Sequence, residues 1–434
     1  MDRQHDTIMT HRSRSFAPAK KHQPGGKKAK GAQRKLHHPP SRNDTLDVSD
    51  EGDEPSLVPA SVFVESPSDG EILEVVHHAL RHTLDSPDFS ANVQKAKGLL
   101  YDKKWLELVG NSALLESYAG RWVPSRACCY RELFASLASV RKLFVVERGS
   151  RDGGDSEGSD GSDAEDEEEN NAEAGPSKSA TPPEAVETLN TRILSLGGGA
   201  SSELLSIAAL VHSCLNLEPK ATSDIKGKSP VKWSWTGVDI GAWDGIVDKF
   251  RSALSTEWDL EQGVFDVDFV QADLLKPAAA PSTPAARGTK LPTAEISTGD
   301  TDSLPPIDMS TLFSPQPSLI TILFTLTELL TQSRPSTFAF LRSLTLHSKP
   351  GTLLLVADSA SDLSEFEMGS SGRKWPIHMV LDTLLLGPPG SSSGDWHCMR
   401  KEDSRWFRMG EGVGAGWPVK LENTRYWFRL YRRL

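Results

Sequence analysis

One stretch constrains this chain more than any other: Leu194-Ser195-Leu196-Gly197-Gly198-Gly199-Ala200-Ser201-Ser202-Glu203-Leu204. A short apolar strand at 192–196 runs into three glycines, and these run into a segment of helical periodicity at 201–214. Glycine permits positive φ and lets a ligand approach the backbone closely. The start of a helix adds free N–H groups. At the carboxyl end of a strand, this combination is how doubly wound sheets hold nucleotides. A plain strand-to-helix turn also satisfies the glycine run taken alone.

The rest of the carboxyl-terminal half sharpens the reading. Strands are expected at 235–240, 264–271, 319–326 and 352–357, with helices at 243–254, 336–346 and 375–386 and final strands at 406–409 and 425–431. This alternation predicts an α/β domain with a largely parallel sheet covered by helices on both faces. Val238-Asp239-Ile240 puts an acid at the end of the second strand, where a carboxylate can accept both hydroxyls of a ribose. Asp239 equally suits the cap of the helix near Trp243. The third strand ends in Gln271-Ala272-Asp273-Leu274, where Asp273 can meet an adenine amino group. A hydride-transfer enzyme shares the loop and the first acid, but more often carries GxGxxG. Asp239 follows Gly197 by 42 residues, against roughly 20 in a dinucleotide fingerprint. A Lys/Ser/Pro-rich surface insertion at 217–232 accounts for the excess.

Charge and apolar content divide the 434 residues unevenly. Apolar residues are sparse in 1–59, 149–183 and 277–306. The expected organisation is a disordered basic arm at 1–60, a small helical unit at 61–146, an acidic disordered linker at 147–187, and the α/β domain at 188–434 with a low-complexity insertion at 277–306. One large core and one small one are expected. The helical unit starts near Ser61, and Ser66-Pro67-Ser68-Asp69 is a helix entry within it, a Ser cap with Pro in the first turn. It continues through pieces at 89–109, 114–119 and 125–145, and shows no catalytic constellation. The net charge of -11 equals the eleven acids of 152–173, while the first 35 residues hold ten Lys/Arg against two acids. Such an arm suits a polyanion, a nuclear import signal or a solvated tail. Four cysteines without a CxxC pair, Cys128, Cys129, Cys214 and Cys398, fit a reduced compartment. No secretory signal and no membrane span are expected.

Several further stretches carry a resemblance. They are Tyr118-Ala119-Gly120-Arg121-Trp122-Val123-Pro124-Ser125-Arg126-Ala127, Leu323-Phe324-Thr325-Leu326-Thr327-Glu328-Leu329-Leu330, Pro350-Gly351-Thr352-Leu353-Leu354-Leu355-Val356-Ala357-Asp358-Ser359 and Leu421-Glu422-Asn423-Thr424-Arg425-Tyr426. With the glycine loop, the chain resembles a fungal family of S-adenosylmethionine (SAM)-dependent methyltransferases that includes the 25S ribosomal RNA (uridine-N3)-methyltransferases. The resemblance implies the class I, Rossmann-like fold, SAM as cofactor and, in at least one member, methylation of a uridine ring nitrogen. Ser201 departs from it, standing where many class I loops have a third glycine.

Carried over by motif, Gly197, Gly198 and Gly199 pack against the methionine part of SAM and Glu203 reaches its amino group. Asp239 with Ile240 holds the ribose, and Asp273 with Leu274 the adenine. Uridine N3 carries its proton at neutral pH, so a base or a carbonyl-polarising group is wanted. The ends of strands four and five offer Thr327, Glu328, Asp358 and Ser359. Glu328 equally reads as a helix-start carboxylate and Asp358 as a loop cap. A base in folded RNA must be flipped or exposed; Trp375 or Trp406 can stack on it, or pack in the core. Arg400, Lys401, Arg405, Arg408, Arg425, Arg429, Arg432 and Arg433, interleaved with aromatics, suit nucleic acid, or the solvated face of a strand. His77, His78 and His82 share a helix without supporting ligands, and no metal is expected. The expected partner is ribosomal RNA or a pre-ribosomal particle, bound by a monomer in the nucleus or nucleolus, with the cytoplasm left open. An RNA-binding assembly factor on a degenerate methyltransferase fold and a methyltransferase acting on protein are the rivals.

Overall fold

The structure is a computed structural model that describes residues 59–145, 190–217, 232–277, 304, 306–360, 366–368, 373–388 and 394–434. Apart from a few end residues, the basic arm, the acidic linker and the expected insertions at 217–232 and 277–306 lie outside the described residues. The chain divides into Met1–Thr45 and Leu46–Leu434, and every described residue belongs to the second unit.

Six helices come first: α1 (Ala60–Glu65), α2 (Asp69–Leu84), α3 (Phe89–Tyr101), α4 (Trp105–Val109), α5 (Ser112–Ser136) and α6 (Ala138–Arg141). The cap of α2 is Ser68, not Ser66. Its hydroxyl accepts the Glu71 N–H while the Glu71 carboxylate accepts the Ser68 N–H, a reciprocal capping box. Pro67 therefore precedes the cap. The pieces expected at 114–119 and from 125 are one helix, α5, which runs straight through Pro124. Proline removes one backbone hydrogen bond from a helix interior. The surrounding turns stay helical because Ala119, Val123, Ala127 and Cys128 are buried against neighbouring elements.

The alternating half follows: β1 (Asn190–Leu196), α7 (Ser202–Leu217), β2 (Lys232–Asp239), α8 (Asp244–Trp258), β3 (Phe265–Gln271), β4 (Asp273–Pro277), β5 (Pro306–Ile307), α9 (Met309–Leu312), β6 (Leu319–Leu323), α10 (Leu326–Gln332), α11 (Arg334–His347), β7 (Leu353–Ser359), β8 (Phe366–Met368), β9 (Arg373–Trp375), α12 (Ile377–Leu386), β10 (Trp396–Phe407) and β11 (Thr424–Arg433). The strand expected to reach 326 stops at Leu323, and α10 takes over. β10 starts ten residues before the expected 406 because its middle, Arg400 to Arg405, is charged. That composition is typical of an edge strand and hides the apolar alternation.

The main sheet has the order β10-β11-β7-β6-β1-β2-β3. β1, β2, β3, β6 and β7 are parallel, and β11 runs antiparallel to both β7 and β10. The chain moves outward from β1 in both directions, so the switch point lies between β1 and β6, where doubly wound sheets form their crevice. This is the class I, Rossmann-like α/β sheet. Its inner strands β6 and β7 are almost wholly buried, as parallel strands covered on both faces must be.

One face of the sheet packs against α2, α5, α7 and α8 through residues such as Val76, Phe134, Leu205, Trp235 and Phe250. The other packs against α10, α11 and α12 through Leu194, Ile320, Leu330, Leu344 and Leu381. The amino-terminal helices thus contribute to the first of these cores, while Ala96, Leu99, Leu108 and Leu114 of α3, α4 and α5 form a separate small cluster. The Ser206 hydroxyl donates to the Ala127 carbonyl at 2.9 Å, tying α7 to α5. Arg131 of α5, fully buried, pairs with Asp69 at the start of α2.

Candidate active site

The glycine loop closes on protein as much as on a ligand. Gly197 has φ +82°, and a side chain there would meet Thr325 Oγ1 at 2.2 Å. Gly199 donates its N–H to Asp239 Oδ2 at 3.1 Å, and a Cβ on it would stand 2.1 Å from the Trp243 ring. Ser201, at the place of a third glycine, has φ +71°. It therefore adopts the left-handed backbone that glycine favours, at a cost of about 1 kcal/mol. The departure from the family loop leaves the turn itself intact.

A cavity open to solvent lies at the carboxyl ends of β1, β2 and β6. Gly197, Glu203, Asp239, Ile240, Asp273, Leu274 and Glu328 all line it. Gly198 and Gly199 are not among the lining residues and instead shape the turn behind it. Gln271 Nε2 donates to the Ile240 carbonyl at 3.0 Å, and Asp273 Oδ1 accepts the Leu275 N–H at 2.9 Å. Asp358 and Thr327 stand behind the wall. Asp358 Oδ2 accepts the Thr327 N–H at 2.8 Å and Oδ1 the Ser359 N–H at 2.7 Å, so Asp358 caps α10. Glu328, one residue further along α10, lines the cavity, with Gln332 Nε2 donating to its Oε1 at 3.2 Å.

The opposite wall comes from the amino-terminal helices, in which no site residue was expected. Trp105, Leu108, Tyr118, Arg126 and Tyr130 line the cavity. The only sequence signal for them is the resemblance stretch that begins at Tyr118. Arg126 donates to the Tyr118 hydroxyl at 2.6 Å, and its guanidinium stands 5.4 Å from the Phe324 ring centroid. Phe324 has φ +58°, a strained backbone for a bulky side chain. It follows β6 directly and holds its ring between Tyr130 at 5.9 Å and Tyr426 at 6.4 Å.

The lining residues include four acids, Glu203, Asp239, Asp273 and Glu328, and one cation, Arg126. Burial pushes the Glu203 carboxyl up to about 8. Burial, then repulsion from Asp239, pushes Glu328 up to about 8. Burial also raises Asp239, against the N–H groups of Gly241 and Gly199 that favour its charged form. A cavity that resists the ionisation of three carboxyl groups favours a cationic ligand. The Ser202 hydroxyl is buried on the lining without a partner among the described residues, a donor available to a ligand. This donor set fits SAM, which carries an ammonium and a sulfonium against one carboxylate.

The remaining expected residues lie elsewhere. Trp375 packs on the second core, and Trp406 is half exposed and does not line the cavity. Arg405 is buried beside Glu132 at 3.6 Å, Arg429 between Asp382 and Asp403, and Arg433 beside Asp395 at 3.1 Å. These three arginines hold the fold together. His78 pairs with Glu257. Among the described residues no group of three or more His, Cys, Asp or Glu is placed to hold a metal, and no helix is long and apolar enough to cross a membrane.

The 25S rRNA (uridine(2843)-N(3))-methyltransferase of Saccharomyces cerevisiae is 25% identical over 349 residues, covering 78% of this chain and 76% of that protein. A SAM-dependent methyltransferase from Methanosarcina mazei is similar over 57% of this chain and 95% of its own, at 10% identity and a TM-score of 0.30. A 16S rRNA (adenine(1408)-N(1))-methyltransferase from Catenulisporales acidiphilia is similar over 57% and 86%, at 12% identity and a TM-score of 0.28. A family model described as "Putative SAM-dependent methyltransferase" matches residues 76–432, spanning both walls of the cavity, and the chain belongs to this SAM-dependent methyltransferase family.

Proposed function

We propose that the chain methylates N3 of a uridine in large-subunit ribosomal RNA. The observation that carries this reading is Glu328. It is a cavity-lining carboxyl group held near pKa 8, which suits a base working close to neutral pH. The substrate for which the yeast relative is named supports the choice of atom and RNA.

SAM, when bound, supplies a methyl group already activated for transfer, so the protein's task is alignment and removal of one proton. Arg126 and Ser202 suit the cofactor's carboxylate, Glu203 its ammonium, Asp239 with Ile240 the ribose, and Asp273 with Leu274 the adenine. The rings of Tyr118 and Phe324 line the cavity as surfaces on which a flipped base can stack. The deprotonated carboxylate of Glu328 takes the N3 proton, with Gln332 holding Oε1 and Oε2 receiving it. The N3 electron pair so freed would form the new bond to the methyl carbon as that carbon's bond to the cofactor sulfur breaks, its electron pair staying on sulfur. Thr327 and Asp358 act by position: their hydrogen bond fixes the first turn of α10 and with it Glu328.

Such a substrate places the work in the nucleus or nucleolus, on ribosomal RNA or a pre-ribosomal particle. The deciding experiment maps modified nucleosides in large-subunit RNA with and without the gene, alongside labelled SAM and purified ribosomal subunits. Loss of one 3-methyluridine is expected. Label entering only protein would refute the RNA assignment, and no label with intact RNA binding would favour an assembly factor.

A further inference from the structure

We propose that Trp406, Arg408 and Arg425 form a docking ridge for the RNA strand next to the target nucleotide, an inference that rests on the RNA reading above. The ridge is built by the β10–β11 pair. Trp406 lies opposite Arg425 in the register, between the buried residues Arg405 and Phe407, yet it is 50% exposed. The guanidinium groups of Arg408 and Arg425 each stand 5.8 Å from its ring centroid. Arg425 Nε donates to Ser404 Oγ at 2.8 Å, which orients that guanidinium.

Charge separates these arginines from their neighbours. Arg405, Arg429 and Arg433 are paired with carboxylates, whereas neither Arg408 nor Arg425 has an acidic partner among the described residues. An exposed indole beside two unneutralised planar cations combines a stacking surface with phosphate-binding charge. Single-stranded nucleic acid is held in this way. An acidic peptide would engage the arginines and leave the indole unused.

Position supplies the link to the cavity. β11 is antiparallel, so its first residues meet the last residues of β7, with Tyr426 opposite Ser359. The ridge therefore sits on the carboxyl-end rim of the sheet, where the cavity opens. From β6 to β10 is three strand spacings, about 14 Å. Tyr426, next to Arg425 in the chain but turned to the opposite, buried face, stands 6.4 Å from Phe324 of the cavity wall, so the two faces meet at the same end of the sheet. Because Trp406 does not line the cavity, it acts on a neighbouring nucleotide, and stacking on the target base falls to the rings of the cavity wall.

The test measures binding of a fluorescent single-stranded oligouridylate to the full chain, across salt concentrations, with SAM affinity followed in parallel. Trp406→Ala is expected to weaken RNA binding roughly tenfold or more, and Trp406→Phe to recover most of the loss. Arg408→Gln with Arg425→Gln should make the log–log salt slope shallower by about 0.7 for each phosphate no longer neutralised, while SAM affinity holds. Wild-type RNA affinity and slope in these variants overturn the ridge but leave the RNA reading standing. Loss of oligoglutamate binding in place of RNA binding overturns it in favour of an acidic protein partner. A wild-type chain that takes SAM but binds no RNA removes the RNA reading and the ridge together.

Discussion

On the sheet side of the cavity, each contributing residue lies within a few positions of a strand end: Gly197 after β1, Asp239 at the end of β2, Asp273 after β3, Thr325 and Glu328 after β6. On the helix side, Trp105, Tyr118, Arg126 and Tyr130 come from α4 and α5, and apart from the resemblance stretch that contains Tyr118 and Arg126 no local signature marks them. The sheet side holds the acids and the helix side the cation and most of the rings. A strand end fixes where a side chain points through backbone geometry alone. A helix surface residue faces a cavity only if the whole helix is docked in one orientation, here by the Arg131–Asp69 pair and the Ser206–Ala127 hydrogen bond. The sheet side is thus local in origin and the helix side tertiary.

Substitutions on each side put this contrast at risk. The largest effect is expected at Glu328. Glu328→Gln should lower kcat about 10²- to 10⁴-fold while calorimetry still detects SAM. Wild-type kcat/KM should rise with pH toward a plateau above about 8, as Glu328, the proposed base, ionises. A variant that keeps its activity would move the base elsewhere. Next is Arg126→Ala, which removes the charged hydrogen bond proposed to the cofactor carboxylate and should weaken SAM about ten- to a hundredfold. Unchanged SAM affinity would reduce the helix side to scaffolding. Gly199→Ala probes the sheet side. The added methyl collides with Trp243, and its cost of about 1–3 kcal/mol should appear as a lower Tm together with weaker SAM binding.

Smaller effects follow from the acids and the loop. Glu203 and Glu328 start from 4.5 in the free residue and are raised to about 8 in the fold. The unfolded chain therefore gives up these protons at lower pH than the folded one. Their contribution to stability is complete below about 4.5 and is lost as pH rises toward 8. Melting curves across that window should show the decline, and Glu203→Gln should flatten it. Binding of cationic SAM near pH 7 should release protons, visible as a buffer dependence of the calorimetric heat. Ser201→Gly, the smallest change, should raise stability by about 1 kcal/mol at most by relieving a left-handed serine. A lower Tm would show that the Ser201 hydroxyl's bond to the Gly199 carbonyl at 3.3 Å outweighs the strain.

The arginines near the carboxyl terminus show how far a pattern alone reaches. As a sequence they form one basic–aromatic run that suits nucleic acid or a solvated strand face. Folded, they divide. Arg405, Arg429 and Arg433 neutralise carboxylates, while Arg408 and Arg425 flank Trp406 at the rim. Arg405 and Arg425, the register partner of Trp406, have opposite fates, because the pleat turns successive residues to opposite faces.

Periodicity and strand-end chemistry by themselves determined the α/β class, the order of the strands in the chain, and the placement of Gly197, Asp239, Asp273 and Glu328 at a common sheet edge. Those features depend on two- and 3.6-residue repeats and on a few neighbouring residues. The choice of Glu328 over Asp358 for the cavity, the single course of α5 through Pro124, and the arrival of Arg126 and Tyr118 opposite the glycine loop were decided only by the tertiary structure. Each depends on contacts between segments far apart in the chain, and local spacing carries no information about which of those contacts form.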